Sequence, residues 1–199
     1  MNPFEIFDIA PSFALDLSEL EGRHRELSRV LHPDRYVGAP AGERRQALGK
    51  AIEVNEAWRK LKDPIQRAEA LCEVLGIQRS ESTEPKADPM LLMEMMEQRE
   101  ALGDARRAKD LDQVEKLAAA ITVRQREVLT ELTRQFAALS PPKSAGAVGP
   151  AAGGSGGSGG EEQRKVSETD REQLLRELGK LRYFRRFLDE ANAILDELD

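Results

Sequence analysis

The chain of 199 residues is poor in the side chains that build most active sites and metal centres: it has one cysteine, two histidines, one tryptophan and two tyrosines. A single thiol, Cys72, excludes an intramolecular disulfide and an all-cysteine metal site. His24 and His32 share no metal-ligand spacing with it or with each other, which argues against a mixed site, so neither a metal nor another cofactor is expected. Cys72 adjoins Leu71 and is three residues from Leu75, which reads as a buried structural thiol. No run of about 18 apolar residues is present, so no membrane-spanning helix is expected. The first residues carry neither a basic stretch followed by an apolar one nor the arginine-rich, acid-poor character of a transit peptide. The protein is therefore expected to remain in the cytoplasm.

Positive charge is also in short supply, with a net charge of −6. Lys and Arg number 12 against 13 Asp and Glu up to residue 79, and 18 against 23 beyond it. Phosphate binding needs a basic surface, so nucleic acid is a poor candidate partner. What the chain does have is charge in quantity, 33% of residues, with only 5% aromatics. That balance suits one or two small helical units with modest cores.

The most informative segment is His32-Pro33-Asp34. Before it, Asp16 and Glu19 read as a capping box that opens a helix running to Leu31, with Leu20, Leu27 and Leu31 on one side. Pro33 lacks an N–H and forces residue 32 out of helical geometry, so the helix must stop there. A second helix from about Ala41 carries Ala51, Val54, Trp58 and Leu61 on its inner side and can close on the first as an antiparallel hairpin. The tip then presents His32 and Asp34 outward. Along the first helix, Asp16, Glu19 and Glu21 precede Arg23, Arg25 and Arg29, with Arg35 beyond the corner, an order the helix dipole favours. The same order also makes a basic strip that could steer the corner onto an acidic partner surface. His24 falls between Leu20 and Leu27 on the buried stripe and reads as a satisfied core histidine.

Pro64 starts a short helix that Gly76 can cap. Residues 78–87 have no apolar period and read as a connector between a first unit, 1–77, and a second, 88–199. Asp88-Pro89 opens a helix to about Lys109 with Leu91, Met95 and Leu102 inward. The next begins near Asp110 and carries Val114, Ala118, Ile121, Val128, Leu132 and Leu139. A third, from about Ser167, carries Leu174, Leu178, Leu181, Phe184, Leu188, Ala191, Leu195 and Leu198. The expected fold class is all-α: a helical hairpin followed by an antiparallel three-helix bundle. Leu92, Met93, Met96, Tyr183 and Phe187 are left over from the stripes. Either they widen the apolar faces, or they form an exposed docking patch ringed by Glu97, Glu100 and Asp104, with the methionines giving an adaptable fit.

These residues, taken in order, resemble the J domain of the DnaJ class and then, more closely, the HscB type, the co-chaperones of iron-sulfur cluster assembly. Phe4-Glu5-Ile6-Phe7, Arg29 to Tyr36, Asn55-Glu56-Ala57-Trp58, Leu61, Pro64, Arg67-Ala68-Glu69, Leu71 and Leu75-Gly76 are similar to the J region. Leu92-Met93-Glu94, Glu97, Arg99-Glu100, Leu102 and Lys180-Leu181-Arg182-Tyr183 are similar to the client-binding region. The resemblance implies that His32, Pro33 and Asp34, with Arg25, Arg29 and Arg35, engage HscA or another DnaK-class chaperone and stimulate its ATPase. It implies that Leu92, Met93, Met96, Glu97, Glu100, Asp104 and Tyr183 bind an IscU-type scaffold. Met96 and Tyr183 stand where the family pattern more often has Leu and Phe, and His24 where it usually has an apolar residue.

Two other readings remain from the sequence. His32 and Asp34 could be an acid-base pair, but catalysis also needs a concave pocket and an oriented substrate, so an enzyme is not expected. A J-domain co-chaperone with a different client, or a helical adaptor with no chaperone contact, would share the apolar stripes. The adaptor leaves the corner unexplained.

Residues 143–160 are dominated by Gly, Ala and Ser, and Gly153 to Gly160 are Gly and Ser alone. Such a segment has no core to bury and reads as an inserted flexible linker, longer than the family pattern has here. A glycine-rich phosphate cradle would need a strand before it and Lys-Ser or Lys-Thr at a helix start after it, and neither is present. Eighteen such residues span roughly 21 to 25 Å root mean square. Deleting Gly153 to Gly160 should leave the melting temperature nearly unchanged, since shortening a flexible loop by half alters closure entropy by only about 0.6 kcal/mol. A fall of many degrees in a thermal melt would show that the segment is packed.

Overall fold

The computed structural model describes residues 2–77, 88–139 and 166–198. Every regular element within them is helical: α1 Pro3–Ile6, α2 Leu17–Val30, a 3-10 turn Pro33–Tyr36, α3 Ala41–Lys62, α4 Pro64–Val74, α5 Pro89–Ala108, α6 Leu111–Leu139 and α7 Glu168–Leu198. The expected connector 78–87 and linker 143–160 lie outside the described residues. The fold class is the expected one, all-α, with an N-terminal helical hairpin followed by a C-terminal three-helix bundle.

Local chemistry sets the helix ends. Asp16, Asp63, Asp88 and Asp110 each accept hydrogen bonds from backbone N–H groups of the helix that follows, satisfying donors that the first turn leaves without partners. The reciprocal box expected at Asp16 is half realised, because the Glu19 carboxylate pairs with Arg23 at 2.9 Å. A complete box closes instead at Asn2 and Glu5. At the end of α4, Gly76 adopts φ +72°; its N–H reaches Glu73 O and that of Ile77 reaches Cys72 O. Those two bonds make a Schellman cap. The turn from α5 to α6 uses the same pair of bonds, with Lys109 at φ +55° in the left-handed position.

The bundle register is written in ion pairs. Arg99–Glu190 and Arg106–Glu197 both join α5 to α7 at the same sequence separation, 91 residues, so these helices run parallel. Glu94–Arg124 joins α5 to α6 across their turn. α7 touches α4, α5 and α6, and three neighbours explain why its buried face is wider than the expected stripe. Leu175 and Phe187 are buried along with Leu174, Leu178, Leu181, Phe184 and Ala191, while Leu188, Leu195 and Leu198 are only partly buried against the core. Phe136 is a further core residue the α6 stripe did not include.

In the hairpin, Leu20, Val54, Ala57 and Leu61 are buried, but Leu27, Leu31, Ala51 and Trp58 are half-buried. His24 is also half-buried and satisfied: it stacks on Trp58 at 5.1 Å, and its Nε2 donates to Asn55 Oδ1 at 2.9 Å. The seam between hairpin and bundle holds the one buried charged side chain among the described residues, Arg67. Its guanidinium donates to the carbonyls of Leu61, Phe13 and Lys62 and lies 5.5 Å from the Phe13 ring, which in turn stacks on Phe136 at 5.4 Å. Arg185–Asp63 and Arg182–Glu69, both 2.8 Å, flank it.

Asp63 thus both caps α4 and pairs with α7. Burial raises its pKa, but the N–H of Gln66, Arg185 and the N–H of Ile65 together outweigh burial and hold the carboxyl below its usual range. A depressed folded-state pKa means that the unfolded chain takes up the proton first, so this contribution is full above the usual carboxylate range and is lost as pH falls through the folded value. Asp63→Ala should cost about 2 kcal/mol near neutral pH through the lost cap, and Asp63→Asn less, because Asn caps nearly as well. Urea unfolding at neutral pH and at about pH 3 should show the Asn variant losing less stability to acid than the parent; an equal loss would remove Asp63 from the pH response.

Candidate functional site

Two surfaces carry the chemistry singled out in the sequence. The first is the tip of the α2–α3 hairpin. Leu31 closes α2 with its N–H on Leu27 O, and the chain turns at once into the 3-10 turn with Pro33 in its first position, where no N–H is needed. His32 caps that turn: its Nδ1 accepts the N–H of Asp34 at 3.3 Å and its carbonyl accepts the N–H of Arg35 at 3.0 Å. The Asp34 carboxylate is left 85% exposed, 3.6 Å from the His32 ring. It is an acceptor-only charge on a convex tip, suited to a cation on another protein and not to an enclosed substrate.

Arg25, Arg29 and Arg35 are exposed, and no hydrogen bond or ion pair among the described residues engages them. Arg23 belongs to a different class. It donates to the carbonyls of Phe7 and Asp8 and pairs with Glu19, holding the chain where Asp8 takes φ +51°. The basic strip is therefore the three outer arginines, with Arg23 as part of the scaffold.

The second surface is the outer face of α5. At about 100° per residue, Met93, Glu97, Glu100 and Asp104 point away from the buried Leu91, Met95, Leu102 and Ala105. Met93 is 64% and Met96 71% exposed, so these side chains are a surface patch and do not widen the core. Leu92 is half-buried at the flank facing α7. The register of 91 residues set by the two ion pairs puts Tyr183 level with Leu92, and Tyr183 is half-buried against the core. Leu92 and Tyr183 therefore stand at the same level of adjoining helices.

One leftover does not belong there. Phe187 is 1% exposed, because the side of α7 that faces between α5 and α6 is interior. Sequence reasoning also missed Met90, which is 79% exposed in the first turn of α5. Its spacing of three from Met93 would have placed it on the same face. Leu48 and Ile52, exposed on one side of α3, were likewise not foreseen. Cys72 is buried, and no group of three or more metal-ligating side chains occurs among the described residues.

Residues 87–149 match the family model described as the HSCB C-terminal oligomerisation domain. Over 133 residues the chain is 35% identical to the co-chaperone protein HscB homolog of Shewanella halifaxensis, spanning 66% of this chain and 76% of that protein. It is 45% identical over 104 residues to the Bordetella pertussis homolog, spanning 52% of this chain and 61% of that one. The structure superposes on the chaperone HscB from Vibrio cholerae with a TM-score of 0.76 at 28% identity, covering both chains fully. The crystal structure of human co-chaperone protein HscB shares the fold, with a TM-score of 0.74 at 22% identity over 97% of this chain and 81% of that one.

The contrast between Met93 or Met96 and Phe187 can be measured. Replacing both methionines with alanine should leave the melting temperature within a degree or two, since exposed side chains hold little of the core. Phe187→Ala should cost about 3 to 5 kcal/mol. Similar losses for the two variants in thermal and urea melts would mean that the methionine face is packed in solution.

Proposed function

This chain belongs to the HscB family of co-chaperones, and from that premise we propose that it joins an iron-sulfur scaffold of the IscU type to an HscA-type, DnaK-class chaperone. The scaffold docks on Leu92, Met93, Met96 and Tyr183, with Glu97, Glu100 and Asp104 at the polar edge. The His32-Pro33-Asp34 corner engages the chaperone and stimulates its ATPase. The observation that carries this reading is the separation of two exposed surfaces of different chemistry. One is an ionised corner on a convex tip; the other is a methionine face edged by carboxylates on a different helix pair.

The physical roles follow from those chemistries. Arg25, Arg29 and Arg35 draw the tip toward an acidic surface and raise the encounter rate. Asp34 then meets a cation as the contact is desolvated, where a charge-assisted bond is stronger than in water. The methionines supply flexible apolar contact that adapts to the client, and the carboxylates set orientation at its rim. Hydrolysis occurs on the partner, whose grip on the client then tightens and favours cluster transfer to acceptors. The co-chaperone itself performs no chemistry, requires no cofactor, and works in the cytoplasm. A different client would use the same α5 face with another pattern of charges.

Two variants separate the surfaces. Asp34→Asn should abolish ATPase stimulation, because removing one member of a partly desolvated charge pair typically costs about 2 to 5 kcal/mol, while circular dichroism stays unchanged. Joint replacement of Leu92, Met93 and Met96 with alanine should weaken scaffold binding by about tenfold or more, leave client-free stimulation intact, and remove the extra stimulation seen with client. Full stimulation by Asp34→Asn at saturation, or undiminished scaffold capture by the triple variant, would each refute its half of the reading.

A further inference from the structure

Four methionines fall among the described residues, all on α5, and the fold divides them sharply. Met90, Met93 and Met96 are 79%, 64% and 71% exposed, whereas Met95 is 5% exposed. Glu97 and Glu100, each four residues from an exposed methionine, are acceptors only, and Arg99, three residues from Met96, is already engaged by Glu190. Cys72, the one thiol, is buried. Among the described residues the solvent-accessible thioethers are thus concentrated on one patch of α5.

We propose that Met90, Met93 and Met96 form an oxidation-sensitive switch on scaffold docking, a modification site built into the binding face. The inference rests on the scaffold-docking reading of α5. The oxidant is a hydroperoxide: the thioether sulfur attacks the distal peroxide oxygen, the O–O bond breaks, an S–O bond forms, and the sulfur gives up two electrons. With hydrogen peroxide the other oxygen leaves as water, and the product is methionine sulfoxide. Each sulfoxide turns an apolar anchor into a polar acceptor. Glu97 and Glu100 cannot donate to it and Arg99 is held by Glu190, so burying the new oxygen on docking carries a desolvation cost that the thioether does not. A methionine sulfoxide reductase reverses the change. Met95, shielded inside the bundle, is the internal control.

The test uses the full chain, treated with hydrogen peroxide that is removed before an iron-sulfur scaffold of the IscU type is added. Peptide mass spectrometry should find a gain of about 16 Da at Met90, Met93 and Met96 well before Met95. Scaffold binding should fall about tenfold or more and return after reductase treatment, while client-free ATPase stimulation is unchanged. A variant with leucine at all three positions should show the same scaffold affinity after peroxide as before it, whatever that affinity is relative to the parent; a peroxide-induced loss in this variant also overturns the switch. Equal oxidation of Met95, or undiminished binding by protein shown to carry the three sulfoxides, overturns the switch and leaves scaffold docking standing. Failure of the untreated chain to bind scaffold overturns both.

Discussion

The structure hangs on the burial of one guanidinium. Arg67 remains charged between the hairpin and the bundle, where burial lowers its pKa and the nearby Asp63 carboxylate works against that. A buried cation is tolerated only when its donors are used, and here three backbone carbonyls take them. Two of those carbonyls, Leu61 and Lys62, are orphans of the last turn of α3, and the third is at Phe13 in the segment between α1 and α2. One side chain therefore ties the end of the hairpin, the α1–α2 segment and, through Phe13 against Phe136, the bundle. Hairpin and bundle share a continuous apolar core as a result.

That junction explains which faces remain free. With α4 on one side of α7 and α5 and α6 on others, α7 is an interior helix along much of its length, while α5 is covered only on its inner half. The outer half of α5 is left to solvent although it carries methionines. Burial of those side chains would be favourable by about 25 cal/mol per Å², and nothing within the described residues collects it. An apolar face that the fold leaves uncovered is the usual mark of a partner surface.

The corner is stabilised differently. Toward the tip the hairpin has a thin core, with Leu27 and Leu31 half-buried and Val30 and Val37 exposed. Its shape is maintained by backbone geometry: the proline at the start of the 3-10 turn, the His32 cap and short carbonyl bonds. Changing the charge at Asp34 therefore disturbs no packing. The charge of the tip can thus vary independently of the stability of the hairpin.

Local rules of the chain determined much of this protein. The aspartate caps, Pro33, Pro64, Pro89 and Gly76 mark their own helix boundaries, because each acts on backbone groups within four residues. The inward stripe of α5 was legible from its period and that of α6 in part, with Phe136 missed and Ala118 and Leu139 only partly buried; the corner was legible too, its exposure following from a proline that ends a helix. Tertiary structure decided the rest. Whether Met93, Met96 and Phe187 were core or surface depended on how many neighbours α5 and α7 acquire, a number that periodicity along one helix does not contain. The role of Arg23 against Phe7 and Asp8, and of Arg67 against Phe13, arises across separations of 15, 16 and 54 residues. Sequence order marks such residues as charged, and only the folded chain supplies the carbonyls that make them structural.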